Sequence, residues 1–188
     1  MTHRFVATAA ALMASVADSD DSAYLLSRDD ELVEVNAGFL RFAQENGGAA
    51  SLEAWRNQPV LSAIAEPLRA FFGAAFKRVR ETGTPWEYQY ECSSPARLRT
   101  FHMTVYPGGT DLVVVHSLRV DSPHTRLASA PDDGRYVQNG LIRMCSNCRR
   151  VQNRLGHKRW DWVPAYLQRA PVTVSHGLCD PCARFYWP

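Results

Sequence analysis

The sequence predicts an α+β protein: an antiparallel five-stranded sheet with helices on one face, followed by a small C-terminal module organised by cysteines. Three observations lead there. Segments of strand-like and helix-like periodicity follow one another as β-β, short helices, one longer helix, β-β-β. A stretch rich in Asp, Ser, Pro and Gly, residues 121–134, then reads as a linker. Beyond it lie four of the five cysteines, as Cys145-Ser146-Asn147-Cys148 and Cys179-Asp180-Pro181-Cys182, with 30 residues between the pairs. The expected organisation is an N-terminal amphipathic helix over 1–20, a sheet domain over 21–120, the linker, and a module over 135–188.

Each element has a local reason. Phe5, Val6, Leu12, Met13 and Val16 fall near helical spacing with Ala9, which favours an amphipathic helix over a faint secretory-signal pattern at the same place. Residues 23–27 and 32–36 read as strands around the acidic turn Arg28-Asp29-Asp30-Glu31. Asn36 is placed to cap the next helix, whose apolar face is Phe39, Leu40, Phe42 and Ala43 and whose stop is Asn46-Gly47-Gly48. Residues 51–62 are short and helical or irregular, with Trp55, Val60 and Leu61 as buried anchors. Residues 64–82 form the longest helix, with Leu68, Phe71, Phe72, Ala75, Phe76 and Val79 repeating at i, i+3, i+4. Trp86, Tyr88, Tyr90 and Cys92 alternate on one strand; Phe101, Met103 and Val105 alternate on the next. Pro107-Gly108-Gly109 turns the chain into a last strand over 112–118.

Composition bounds the function. With 188 residues and 46% hydrophobic content the chain can bury a core in one or two small domains. No run reaches the roughly 18 apolar residues of a spanning helix, so no membrane role is expected. The formal net charge of +2 hides an asymmetry. Residues 135–188 carry nine Lys and Arg against Asp161 and Asp180, a formal +7, which leaves −5 for residues 1–134. A basic tail fits either nucleic-acid phosphates or the chain's own acidic half. The sequence has no G-x-S-x-G, P-loop, G-x-G-x-x-G or His-Glu-x-x-His, so no enzyme is expected.

A C-x-x-C turn points both sulfurs into one concavity, and two such turns complete a closed four-thiolate shell, the structural form of zinc coordination. One Zn2+ held by Cys145, Cys148, Cys179 and Cys182 is the expected cofactor. Disulfides in an exported protein, a redox-switchable dithiol and an iron–sulfur cluster are the competing readings. His176 is a candidate alternative ligand or outer hydrogen-bond partner, and Cys92 is the spare, expected in the core rather than on the metal. The thiolate module favours a reducing compartment, hence the cytoplasm. Trp160, Trp162, Tyr166, Phe185, Tyr186 and Trp187 are expected to pack around the metal.

The stretch AYLLSRDDELVEVNAGFLRF, residues 23–42, resembles the opening of a PAS sensor domain, and FKRVRETGTPWEYQYECSSPARLRTFHMTVYP, residues 76–107, resembles the end of its long helix and the following hairpin. The tail, MCSNCRRV…RWDWVPAYL…SHGLCDPCARFYWP, is similar to a small cysteine module appended to bacterial PAS and signal-transduction proteins. The resemblance implies a non-catalytic sensing or regulatory protein, with homodimerisation and an unidentified protein partner. A PAS cavity can hold haem, flavin or a small ligand, but the residues lead to no bound flavin or haem here: the Asn-Cys-Arg-Phe-type helix of the light-sensing branch is absent, the long-helix segment carries no histidine, and His102 and His116 sit on strands, each alternating away from the most apolar neighbours. Two alternatives stand beside it. One is a nucleic-acid-binding regulator using Arg149, Arg150, Arg154, Lys158 and Arg159; the other is a thiol and zinc redox sensor.

Overall fold

The computed structural model describes residues 8–156 and 159–188. Helix α1, Ala9–Ser15, is followed by strands β1, Ser22–Leu26, and β2, Leu32–Val35, and then by helix α2, Ala37–Glu45. Two 3-10 turns, Leu52–Ala54 and Val60–Ala63, lead to helix α3, Leu68–Thr82. Strands β3, Trp86–Glu91, β4, Arg97–Gly108, and β5, Asp111–Pro123, complete a five-stranded antiparallel sheet in the order β2-β1-β5-β4-β3. This is the five-stranded antiparallel sheet with helices expected from the sequence.

The β1 register fixes both faces of the sheet. Tyr24 pairs with Val114 and Leu26 with Leu112 on one face; Leu25 pairs with Val113 on the other. On the first face Phe39 of α2 meets Tyr24 edge-on, with ring centroids 5.8 Å apart. On the second, α1 buries Met13 against Leu25 and Val113, with Leu12 and Val16 beside it. The alanines of α1 let it approach closely: a Cβ on Gly108 would fall 2.6 Å from the Cβ of Ala9. Phe5 and Val6, the first residues of the expected stripe, lie outside the described residues.

Asn36 ties these pieces together. Its Oδ1 accepts from the backbone N–H of Ala23 and of Phe39, both at 2.9 Å, the second being the expected helix cap. Its Nδ2 donates to the carbonyls of Val16 at 2.8 Å and Asp21 at 2.9 Å. Gly38, two residues on, leaves room for the same carbonyl: a Cβ there would sit 2.3 Å from the Asp21 oxygen.

Some elements differ from expectation. The long helix begins at Leu68 rather than residue 64, because Pro67 disfavours a helical conformation at Glu66. Trp55, Val60 and Leu61 are half-buried rather than buried. His116 pairs with Ser22 on the Tyr24 face, its Nε2 3.0 Å from the Tyr24 hydroxyl, and burial pushes its pKa down to about 4. His102 instead meets Glu87, Nε2 to Oε2 at 3.4 Å. In place of a free linker, β5 runs on to Pro123, Ala128 bridges to Trp162, and a short helix α4, Asp133–Tyr136, follows.

The chain divides into two compact units that do not follow sequence order. One comprises Met1–Ile64, Phe72–Gln89 and His102–Leu118; the other Ala65–Phe71, Tyr90–Phe101 and Arg119–Pro188. The second unit has its own sheet, formed by β6, Val137–Gln138, β7, Leu141–Cys145, β8, Val151–Gln152, β9, Trp160–Asp161, and β10, Thr173–Gly177. Its order is β10-β7-β8-β9, with β6 also on β7. Asn139 and Gly140, at φ of 51° and 73°, turn β6 into β7, as a two-residue hairpin with both φ values positive requires. Tyr136, Ile142, Met144, Val151, Val163 and Tyr166 form its core, the last from helix α5, Pro164–Gln168. Within it the buried Asp161 carboxylate accepts from the Tyr136 hydroxyl and Asn153 Nδ2, each at 2.9 Å, and from Arg159 Nε at 2.9 Å. Helix α6, Asp180–Tyr186, closes the unit.

Candidate metal centre

The two cysteine pairs meet because β7 and β10 run parallel. Their register places Gly177 opposite Cys145, so each strand delivers its C-x-x-C turn to the same end of the sheet. The first turn is built on backbone bonds: Cys145 N–H donates to the Arg150 carbonyl at 2.8 Å, Arg149 N–H to Cys145 at 3.1 Å, and Ser146 N–H to Gly177 at 2.8 Å. Arg149 takes a left-handed conformation, φ 60°, to bring the chain back. In the second turn Cys179 stands just before α6 and Cys182 lies on its first turn, with Ala183 N–H donating to the Cys179 carbonyl at 2.8 Å.

All four thiols are buried and free of disulfides, and their sulfurs lie within 4.8 Å of one another. Cys148 Sγ and Cys179 Sγ are 3.7 Å apart. A tetrahedron of sulfurs about 2.3 Å from a central ion has edges of about 3.8 Å, so this spacing fits a tetrahedral ion. The thiols are strongly coupled to one another. Hydrogen bonds from Cys148, Cys179 and Cys182 hold the Cys145 thiol well below its usual range, and the bond to Cys145 pushes Cys148 far above it.

A polar shell surrounds the sulfurs. Asn147 is buried between the first two cysteines, and its Nδ2 donates to Cys182 Sγ at 3.3 Å. Its Oδ1 accepts from Glu91 N–H at 3.2 Å and from the Tyr186 hydroxyl at 3.0 Å, which fixes the amide with its N–H toward sulfur. Glu91 in turn holds Arg126, Oε2 to Nη2 at 2.6 Å, and the Arg126 Nη1 donates to the Cys148 carbonyl at 3.0 Å. Burial is the largest influence on Arg126 and opposes its charge; the bond to and charge of Glu91, with Cys148 and Cys182, together outweigh it, so its pKa is raised. The Ser146 hydroxyl donates to the Glu66 carbonyl at 2.9 Å. The Cys92-Ser93-Ser94-Pro95 turn belongs to this network: Ser93 Oγ donates to Glu91 Oε1 at 2.6 Å and accepts from Arg99 N–H at 3.3 Å.

The structure brings the four expected cysteines together and leaves other candidates apart. His176 lies on β10 opposite Met144, exposed and outside the cysteine group; partial burial of its ring and the Arg149 guanidinium lower its pKa. Cys92 is half-buried and also outside the group, and burial pushes its thiol up. In the basic run, Arg149 and Arg150 are half-buried, Arg154 is exposed, and Arg159 is committed to Asp161; Lys158 lies outside the described residues. Of the expected aromatic packing, Trp160 lies against the cysteines and Tyr186 reaches Asn147. Phe185 and Trp187 are half exposed, at 50% and 49%, and Tyr166 serves the other core. Sequence reasoning missed Asn147, Glu91 and Arg126. For Asn147 the one signal was position, a residue enclosed by the first C-x-x-C.

No family model matches the chain, and no curated protein does. Among solved structures, a domain of an HTR-like protein from Haloarcula marismortui is similar at 16% identity and a TM-score of 0.43, covering 54% of this chain and 100% of that one. A PAS domain from a two-component sensor histidine kinase is similar at 11% identity and a TM-score of 0.39, covering 57% of this chain and 93% of that one. Among the described residues, no helix is long and apolar enough to cross a membrane.

Proposed function

We propose that the chain is a non-catalytic sensing and regulatory protein in which a PAS-like sheet domain carries a structural zinc centre. The observation that supports this reading is the group of four buried cysteine sulfurs within 4.8 Å of one another. Four thiolates suit a tetrahedral soft or borderline ion, and when bound such an ion supplies folding energy rather than an open coordination position for water. Asn147 would orient Cys182 toward it, and Arg126 would offset part of the negative charge of the thiolates. The regulatory output falls to contacts with a protein partner, and the PAS-like sheet domain is the natural homodimerisation element.

The test is elemental analysis of protein purified without added metal, paired with a count of free thiols. One zinc per chain with Cys92 alone open to labelling is the expected result. Protein without metal and with four oxidised cysteines would overturn the reading in favour of disulfides. Iron with sulfide would replace zinc by a cluster.

A further inference from the structure

A groove of about 220 Å³ opens on the second sheet among Arg143, Gln152, Arg154, Ser175, Gln138 and Asn139. No lining residue is acidic, and neither arginine has a carboxylate at ion-pair distance among the described residues. Both guanidiniums are held by neutral acceptors. Arg143 Nη1 is 3.5 Å from Gln152 Oε1, and its Cζ lies 5.9 Å from the Trp160 ring centroid. Arg154 Nη1 is 3.4 Å from the Val137 carbonyl. Gly177 makes space for this placement, since a Cβ there would fall 2.8 Å from Arg143 Nε. Each guanidinium has five N–H donors and spends one on the contact just named. The register sets Ser175 directly beside Arg143, adding a hydroxyl donor on the adjacent strand.

We infer that this groove binds a phosphate group, presented by a small phosphate monoester. Two guanidiniums and a hydroxyl on one cavity match a tetrahedral dianion; a carboxylate is satisfied by one guanidinium fork. The volume is below the usual range of about 300–1,000 Å³ for small-molecule pockets, so it suits the anionic group with the rest of the ligand outside. A polynucleotide would need a row of phosphate contacts. Among the described residues two arginines line the cavity, while Arg149 and Arg150 lie outside it.

The experiment titrates the metal-loaded full chain with inorganic phosphate and with ribose 5-phosphate at constant ionic strength, following backbone amide shifts. Saturable shifts at Arg143, Gln152 and Ser175 are expected, with at least tenfold weaker binding in Arg143→Gln and in Arg154→Gln at unchanged metal content. Should either variant fold poorly, Ser175→Glu places a carboxylate at an exposed site on the groove and must abolish binding with the metal retained. Shifts equal to those from chloride, or unaltered by these substitutions, overturn the proposal. So does an oligonucleotide that binds more than tenfold tighter than the monoester with a salt slope of several phosphates.

Discussion

Asn147 offers the sharpest test of how the protein tunes its cysteine centre. Replacing it with Ala removes the N–H···S bond to Cys182 and leaves the Glu91 N–H and the Tyr186 hydroxyl without their shared acceptor. Loss of an outer hydrogen-bond partner typically costs about 10–100-fold in metal affinity. The buried Tyr186 hydroxyl left without this acceptor adds about 1–3 kcal/mol to the loss of stability, and the half-buried Glu91 N–H adds less. Asn147→Asp is worse for the metal. It sets a carboxylate where an amide N–H now lies 3.3 Å from sulfur, which at an effective dielectric of about 20 is a repulsion of about 5 kcal/mol before relaxation. Arg126 and side-chain rotation offset part of it, so a further fall of about tenfold beyond Asn147→Ala is expected. Competition for zinc against a chromophoric chelator measures both variants, and denaturant melts of the loaded protein separate affinity from folding. If Asn147→Asp bound zinc within twofold of the parent, the argument that this amide orients and charge-balances the sulfurs would be wrong.

Three further outcomes are expected. Asn36→Ala severs four hydrogen bonds that join α1, β1 and α2, and urea unfolding should show a loss of about 2–4 kcal/mol; a loss below 0.5 kcal/mol, on the order of a surface change, would refute the hub. Gly38→Ala drives a Cβ into the Asp21 carbonyl and should cost about 1–3 kcal/mol in the same assay, with no gain from the better helix propensity of Ala. His116 is neutral in the fold, with its pKa lowered from 6.5 to about 4. The unfolded chain therefore binds the extra proton as pH falls through that window, and stability should drop by up to about 3 kcal/mol between pH 7 and pH 4. His116→Gln should flatten that part of the profile; an unchanged slope would assign the acid loss to other groups.

What could be read from sequence follows the range of the interactions. The Asn36 cap, the alternation of Phe101, Met103 and Val105, and the stripe of Leu68, Phe71, Phe72, Ala75, Phe76 and Val79 rest on neighbours a few residues away, and each but the half-buried Phe71 is buried where its spacing put it. The C-x-x-C spacing likewise announced four clustered sulfurs. The Asn139-Gly140 turn was also legible, as a two-residue hairpin signal, and was passed over. Other features depend on long-range pairing that no local pattern encodes. His116 reads in sequence as alternating away from its most apolar neighbours; it shares the face of Leu112 and Val114, and what fixes its role is a strand 92 residues away, where the Tyr24 hydroxyl lies 3.0 Å from its Nε2. Residues 121–134 looked like a linker by composition, but Arg126 is fixed by Glu91, 35 residues earlier. The Cys92-Ser93-Ser94-Pro95 turn and the cysteine tail read as separate motifs, although Glu91 and Asn147 join them across 56 residues.

The parallel alignment of β7 and β10 also decides how this protein yields to mechanical force. A degradation motor that grips the chain beyond α6 and pulls meets the elements in a set order. The short α6 helix unravels first, and tension then falls on Cys182 and Cys179 before it reaches β10. Parallel neighbours must then slide past one another along their whole length, so their hydrogen bonds share the load instead of parting singly. With a metal on the sulfurs, the cysteine end acts as a locked clasp ahead of that sliding step; stripped of metal with the thiols reduced, the clasp is gone and the barrier to extraction drops. Forced unfolding is governed by that barrier rather than by equilibrium stability. The lifetime of the protein under a processive unfoldase would then follow the state of four thiols, even where its melting temperature hardly changes.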